Sequence, residues 1–285
     1  MPIPYIYSWF NGMGNQLLTM INAIHFTFYF NKFKKLELPK NACFITKNFP
    51  ENNSDDSNDD DNKLDITRRI NPCSDWFCLG IKEMKEIYNK HIDYRFMKED
   101  IIEVENDIAI HIRSGDIFGG NVHWEYVQPP LDYYIEILKN NKSKKIIIVY
   151  ETNQKKPHWK NPVIDKLINY VKDNNMENVK IQSKSMREDM KAIICSKTII
   201  SAMGTFSLMC YFISPFVEKF VIPHYMHKKT RGKNWFIVKE EDKKNVQIVN
   251  FNNYIKVGNW KNKEEQRQIM LNYKMNPEEI VKLSL

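Results

Sequence analysis

His111, Arg113 and Asp116 stand at the end of an apolar run, Asp107 to Phe118 (DIAIHIRSGDIF), where residue types and spacing suit an anionic ligand. Ile108, Ile110 and Ile112 alternate with Ala109, His111 and Arg113, the period of a β-strand. In open α/β sheets ligands lie beyond the carboxyl ends of the strands, so a strand that breaks into Arg-Ser-Gly-Asp delivers its polar groups there. The plainer alternative is a surface ion pair between Arg113 and Asp116 at a turn.

Two further stretches suit the same chemistry. From Arg187 to Phe212 a helix carrying Asp189 precedes a buried strand, and the turn Ser201-Ala202-Met203-Gly204-Thr205-Phe206-Ser207 leads into another helix. Hydroxyls and unpaired N–H groups at such a helix start suit a phosphate, and Phe206 could stack on a nucleobase. The alternative is an ordinary Thr205 N-cap followed by a core phenylalanine. Near the N-terminus, Asn11-Gly12-Met13-Gly14-Asn15 joins a strand to a helix, and its glycines allow close backbone approach to a ligand.

The elements that must position these groups can be read from periodicity. Tyr5 to Phe10 reads as a strand and Gln16 to about Phe33 as an amphipathic helix, with Leu17, Met20, Ile21, Ile24 and Phe28 on one face. Ile81 to Tyr88 is a short helix. Then come strand Asp107–Arg113, helix Leu131–Lys139 behind Pro129-Pro130, and strand Lys145–Tyr150. Helix Asn161–Asp173, strand Val179–Gln182, helix Ser185–Cys195, strand Thr198–Ser201, helix Thr205–Ile213 and strand Phe220–Ile222 follow. This alternation with short connections predicts a parallel sheet with helices on both faces, a Rossmann-like unit. Val246 to Phe251 reads as one more strand and Lys263 to Tyr273 as one more helix.

Taken together, N-G-M-G-N-Q at 11–16, H-I-R-S-G-D at 111–116 and D-M-x-x-I-x-x-S-x-x-I-I-S-x-x-G-T-F-S from Asp189 to Ser207 resemble the fucosyltransferase superfamily. That group holds the α-1,2-, α-1,6- and protein O-fucosyltransferases. The resemblance implies an α/β fold of GT-B type, with two facing Rossmann-like domains and parallel sheets. It also implies inverting, metal-independent transfer of a sugar from a nucleotide donor, with no cofactor. On this reading residues 1–105 form an N-terminal Rossmann-like domain on the acceptor side. Residues 106–235 bind the donor, and 236–285 pack back on both. Arg113 would pair with the donor diphosphate, beside His111. Gly14 and Asn15 would close on donor sugar and phosphate. Ser201, Gly204, Thr205, Phe206 and Ser207 would hold phosphate and base, with Asp189 a partner of the base or ribose.

The expected donor is GDP-fucose and the expected acceptor a glycan hydroxyl. Another nucleotide sugar, such as one of xylose or rhamnose, or a nucleotide- or glycan-binding module without turnover, are the alternatives. Ser114 stands where many members of the superfamily carry a second arginine, and Leu208 and Met209 replace the tryptophans of the α-1,2 branch. An inverting transfer needs a base for the acceptor hydroxyl, and Asp116, Glu125 and His123 are the candidates. Phe118, Trp124 and Tyr126 offer aromatic surface to an acceptor sugar or serve as core.

Composition narrows the classes further. The 285 residues carry a formal charge of +7, with basic residues scattered rather than clustered, which speaks against a nucleic-acid partner. No apolar run is long enough to span a bilayer and no leader is evident, so a soluble, cytoplasmic protein is expected. Abundant Asn and Lys suggest an A+T-rich genome, that of a protist or of a large virus, in which case the cytoplasm is the host cell's; a lumenal catalytic domain cut from a longer anchored chain is the alternative. Five cysteines do not form a disulfide framework. Cys195 and Cys210 read as core, and Cys73 and Cys78 as reduced thiols. Glu51 to Asn62 (ENNSDDSNDDDN) has no apolar residue and reads as a surface loop. Its Asp59-Asp60-Asp61 lacks the supporting shell that a metal site needs, so no metal site is expected.

Overall fold

The computed structural model describes residues 3–6, 12–31, 35–41, 43–47, 63–66, 79–95, 101–120, 122–151, 159–224, 237–280 and 285. The acidic tract 51–62 and residues Cys73 and Cys78 lie outside the described residues. The N-terminal third holds strands β1 (Ile3–Tyr5), β2 (Phe44–Thr46), β3 (Lys63–Asp65) and β4 (Ile92–Tyr94). Its helices are α1 (Met13–Ile24) and α2 (Ile81–His91). β1 pairs parallel with β3, and β2 antiparallel with β4. Among the described residues this third shows these two-stranded pairs and no second multi-stranded sheet. α1 begins earlier than its periodicity predicts and continues as a π-helical stretch over His25–Phe30.

The main sheet comprises β5 (Asn106–Ile112), β6 (Ile146–Tyr150), β7 (Val179–Gln182), β8 (Ser196–Ile200), β9 (Lys219–Pro223) and β10 (Val246–Val249). All its pairings are parallel, in the order β10-β9-β8-β5-β6-β7. Counted from β5, this is the 6-5-4-1-2-3 arrangement of dinucleotide-binding sheets, so the protein is a Rossmann-like α/β fold with its switch point between β5 and β8. Ile108, Ile110, Ile148, Ile199, Ile200 and Val221 are buried, as expected for strands covered on both faces.

Helices α3 (Leu131–Asn140), α4 (Pro162–Asp173), α5 (Met186–Ile194), α6 (Phe206–Ile213), α7 (Glu264–Asn272) and α8 (Pro277–Ile280) complete the fold. α3, α4 and α7 pack on one another, while α6 packs against α1, α2 and α5. Local signals set the helix starts. Asn161 accepts from Val163 N ahead of Pro162, and Ser185 with Glu188 forms a reciprocal capping box. The far end of α6 is closed from the N-terminal third, where Lys85 Nζ donates to the carbonyls of Tyr211 and Ser214, each at 3.2 Å.

The C-terminal residues are integral to the sheet, since β10 lies beside β9. They also brace the loop that follows β5. Trp260, fully buried, donates from Nε1 to Ile117 O at 3.2 Å and meets Phe118 edge-on. Its backbone N donates to Trp124 O, Asn262 donates to Phe118 O at 2.7 Å, and Tyr254 donates to Gln128 O at 3.0 Å. Phe118 is therefore core. Cys195 and Cys210 are buried free thiols, as their apolar context predicts. Among the described residues no helix is long and apolar enough to cross a membrane.

Candidate functional site

A cavity of about 560 Å³ opens at the carboxyl end of the main sheet. Its walls come from the loops after β5, β6, β7 and β8, together with the start of α1. Of the residues singled out in the sequence, Gly14, Asn15, His111, Arg113, Asp116 and Asp189 line it. Gly204, Thr205 and Phe206 line it as well. Stretches separated by up to about two hundred residues thus meet at one place, beside the switch point where neighbouring connections part to opposite faces.

Two helix N-termini point their unpaired ends at this region. The first intrahelical bond of α1 is Gln16 N to Gly12 O and that of α6 is Met209 N to Thr205 O, and neither helix has a side-chain cap. Thr205 is thus not an ordinary N-cap: its hydroxyl faces Gly14 instead. A Cβ on Gly14 would lie 2.6 Å from both Thr205 O and Thr205 Oγ1, so only glycine lets the two helix starts approach this closely. Unpaired N–H groups and the positive ends of two helix dipoles favour an anion between them.

Arg113 completes this electropositive corner. Its guanidinium lies over the Tyr126 ring at 4.7 Å and donates to Asp116 Oδ1 at 3.1 Å. Nη1 rests against Gly204, where a Cβ would sit 2.6 Å away and where φ is +138°, a conformation that L side chains rarely adopt. The ion pair with Asp116 is real, but it is made inside a cavity wall, with the Arg113 side chain 23% exposed and that of Asp116 75% exposed.

His111 lies below. Burial pushes its pKa down to about 3, with the Arg113 charge adding to the shift, so the ring is neutral. Ser201 donates to Ala202 O at 2.7 Å and lies 2.6 Å from Ser207, so Ser207 donates to Ser201. The 3.4 Å contact to Ser207 then falls to the His111 Nδ1–H, leaving Nε2 a bare acceptor. Ser201 and Ser207 are fully buried and lie beneath the cavity rather than in its lining. They hold the His111 ring, which also packs on Phe206 at 5.1 Å.

Ser114 and Asp189 have structural partners. Ser114 is buried and accepts from Asn161 N at 2.9 Å, while Asn161 Nδ2 donates to Arg113 O at 3.0 Å. The position points away from the cavity, into the start of α4. Asp189 Oδ1 accepts from Gln182 at 2.9 Å, and both its oxygens accept from Lys184 N at 3.2 Å. Its carboxylate shapes the loop that presents Ser183 and Lys184 to the cavity.

Among the base candidates, Asp116 lines the cavity whereas Glu125 and His123 do not. His123 is exposed, stacks on Trp124 and lies 4.0 Å from Glu125. Of the aromatics, Tyr126 faces the cavity and Phe118 and Trp124 do not. Sequence reasoning missed Glu151, which sits in the lining directly after β6. Its carboxyl pKa is raised by desolvation, against the lowering effect of Arg113 and with the help of Asp116. The one available signal was its position, since polar residues just past a strand's carboxyl end belong to the ligand face.

Comparison of the chain with known protein families, with curated proteins and with solved structures finds no match.

Proposed function

We propose that this chain is an inverting, metal-independent glycosyltransferase that carries a sugar from a nucleotide donor to a glycan hydroxyl, with GDP-fucose the first donor to test. The observation that carries the reading is the convergence of Arg113, the α1 start at Gly14 and the α6 start at Thr205 on one cavity beside the sheet's switch point. The order of the three motifs that resemble fucosyltransferases supports the same assignment. A GT-B arrangement, in which the N-terminal third forms the acceptor half, belongs to this proposal.

The chemistry follows from charge. When the bond between the anomeric carbon and the diphosphate breaks, negative charge builds on the phosphate oxygens. A fixed guanidinium and helix-end N–H groups stabilise that charge where water is excluded. The phosphate takes over the Arg113 donors that Asp116 occupies in this structure. His111, neutral and with Nε2 free to accept, meets an N–H or O–H of the nucleoside.

A thermal-shift screen of nucleotides and nucleotide sugars tests this reading. A ligand present at 100 times its dissociation constant stabilises the protein by about 2.7 kcal/mol, and the donor that does so names the sugar. Transfer from that donor should be indifferent to excess EDTA. Binding without transfer from any donor in the set would instead favour a nucleotide- or glycan-binding module.

A further inference from the structure

We infer that Glu151 is the general base of the proposed transfer, taking the proton of the acceptor hydroxyl. The inference rests on the transferase reading and assigns a role to a residue outside all three motifs.

The sheet register places it. Ile112 at the end of β5 pairs with Tyr150 at the end of β6, so Arg113 and Glu151 leave the sheet side by side into the same cavity. The Glu151 carboxylate comes to rest over Gly115, where a Cβ would lie 2.9 Å from Oε2 and where φ is +77°. A side chain at position 115 would occupy the space of the carboxylate, so the turn after Arg113 leaves room for it.

The other carboxylates of the lining accept hydrogen bonds in this structure. Asp189 accepts from Lys184 N and Gln182, and Asp116 accepts from Arg113. Glu125 lies outside the lining. Among the described residues Glu151 makes no hydrogen bond, although it is close enough to Arg113 and Asp116 to feel both charges. Desolvation holds its carboxyl pKa above the ordinary carboxylate value, as suits a group that must take up a proton.

The step balances without a co-reactant. The acceptor hydroxyl gives its proton to a Glu151 carboxylate oxygen, and its oxygen forms the new bond to the anomeric carbon. The carbon–oxygen bond to the diphosphate breaks, and the electron pair leaves on the phosphate oxygen facing Arg113. Glu151 returns its proton to water after product leaves.

The test compares wild type with Glu151→Gln, Glu151→Asp, Asp116→Asn and Glu125→Gln. Affinity for GDP is read by calorimetry and turnover by GDP release from GDP-fucose with a mixed set of mono- and disaccharides. Where the thermal-shift screen names another donor, that nucleotide sugar and its nucleoside diphosphate replace them. Glu151→Gln should bind the nucleotide within twofold of wild type and lose about a hundredfold or more in kcat, the usual scale of base catalysis. It should also lose the acid limb of the kcat profile. Azide, an acceptor with no proton to give up, should restore release by Glu151→Gln. Glu151→Asp should keep part of the rate.

Wild-type kcat in Glu151→Gln overturns the assignment, as does a loss that azide does not relieve or a loss seen only with Asp116→Asn or Glu125→Gln. If wild type itself neither binds a nucleotide nor turns over any donor, the transferase reading fails and the base assignment falls with it.

Discussion

Gly14 and Thr205 touch through their backbones: no room for a Cβ exists between the first turn of α1 and the residue that starts α6. Alanine is normally preferred over glycine in a helix by about 1 kcal/mol, but overpacking against a neighbouring backbone costs about 1–3 kcal/mol. Gly14→Ala should therefore lower the urea midpoint and weaken nucleotide binding by parting the two helix starts. Gly12→Ala, with nothing within 4 Å of the added methyl, should leave stability within about 0.5 kcal/mol. Equal midpoints for Gly14→Ala and wild type would show that the contact carries no weight.

Arg113 leaves the end of β5 with its side chain in the cavity wall, so its removal should spare the fold. Arg113→Ala should lower turnover by about a hundredfold or more, the scale of losing one donor to a developing oxyanion, with an unchanged urea midpoint. Asp116→Asn removes the group that competes with phosphate for this guanidinium. Because exposed ion pairs are worth at most about 1 kcal/mol, nucleotide affinity should rise by no more than about fivefold. Calorimetry with GDP, or with the nucleotide the thermal-shift screen selects, separates the two variants, and unaltered affinity in both would remove Arg113 from the anion site.

Ser114 should behave as a structural residue. Ser114→Ala leaves the buried Asn161 N without its acceptor, at a cost of about 1–3 kcal/mol. Ser114→Arg, which places a second arginine beside Arg113, should destabilise more and should not raise nucleotide affinity, since this position faces α4. Urea denaturation of both variants, with a nucleotide titration of any that folds, checks the expectation.

His111 gives the stability a definite pH dependence. Its folded-state pKa is about 3 and its unfolded value about 6.5, so between those limits the unfolded chain binds one proton more than the native protein. Stability contributed by this residue is complete above pH 6.5 and falls with decreasing pH, by about 1.4 kcal/mol for each unit at full slope. Between pH 7 and 5 the wild-type urea midpoint should drop more than that of His111→Gln. Parallel curves for the two proteins would show that the ring is not buried neutral.

The extent to which the cavity was legible in the sequence differs from residue to residue. Arg113, Gly14 and Thr205 stand out because each follows a strong local signal: an apolar alternation that stops, a glycine pair before an amphipathic helix, and a buried strand that turns into a helix. Ser201, Ser207 and Asp189 share those stretches, yet their side chains turn inward to Ser207, His111, Lys184 and Gln182, a choice made by packing and invisible to spacing. Glu125 and His123 lie close to Arg113 in sequence, and the brace from Trp260 and Asn262 holds their loop so that Tyr126 enters the cavity in their place.

The sequence by itself determined the alternation of strands and helices from β5 to α7, because hydrophobic period and capping residues act within one or two turns of chain. It also determined that Arg113 would leave a strand end. Only the tertiary structure decided the strand order, and with it the pairing of Ile112 with Tyr150 that sets Glu151 beside Arg113. Register between strands separated by a helix is a long-range choice, fixed by how whole faces bury against one another. No local run of residues can encode it, which is why Glu151, a carboxylate of the cavity lining, belonged to none of the motifs.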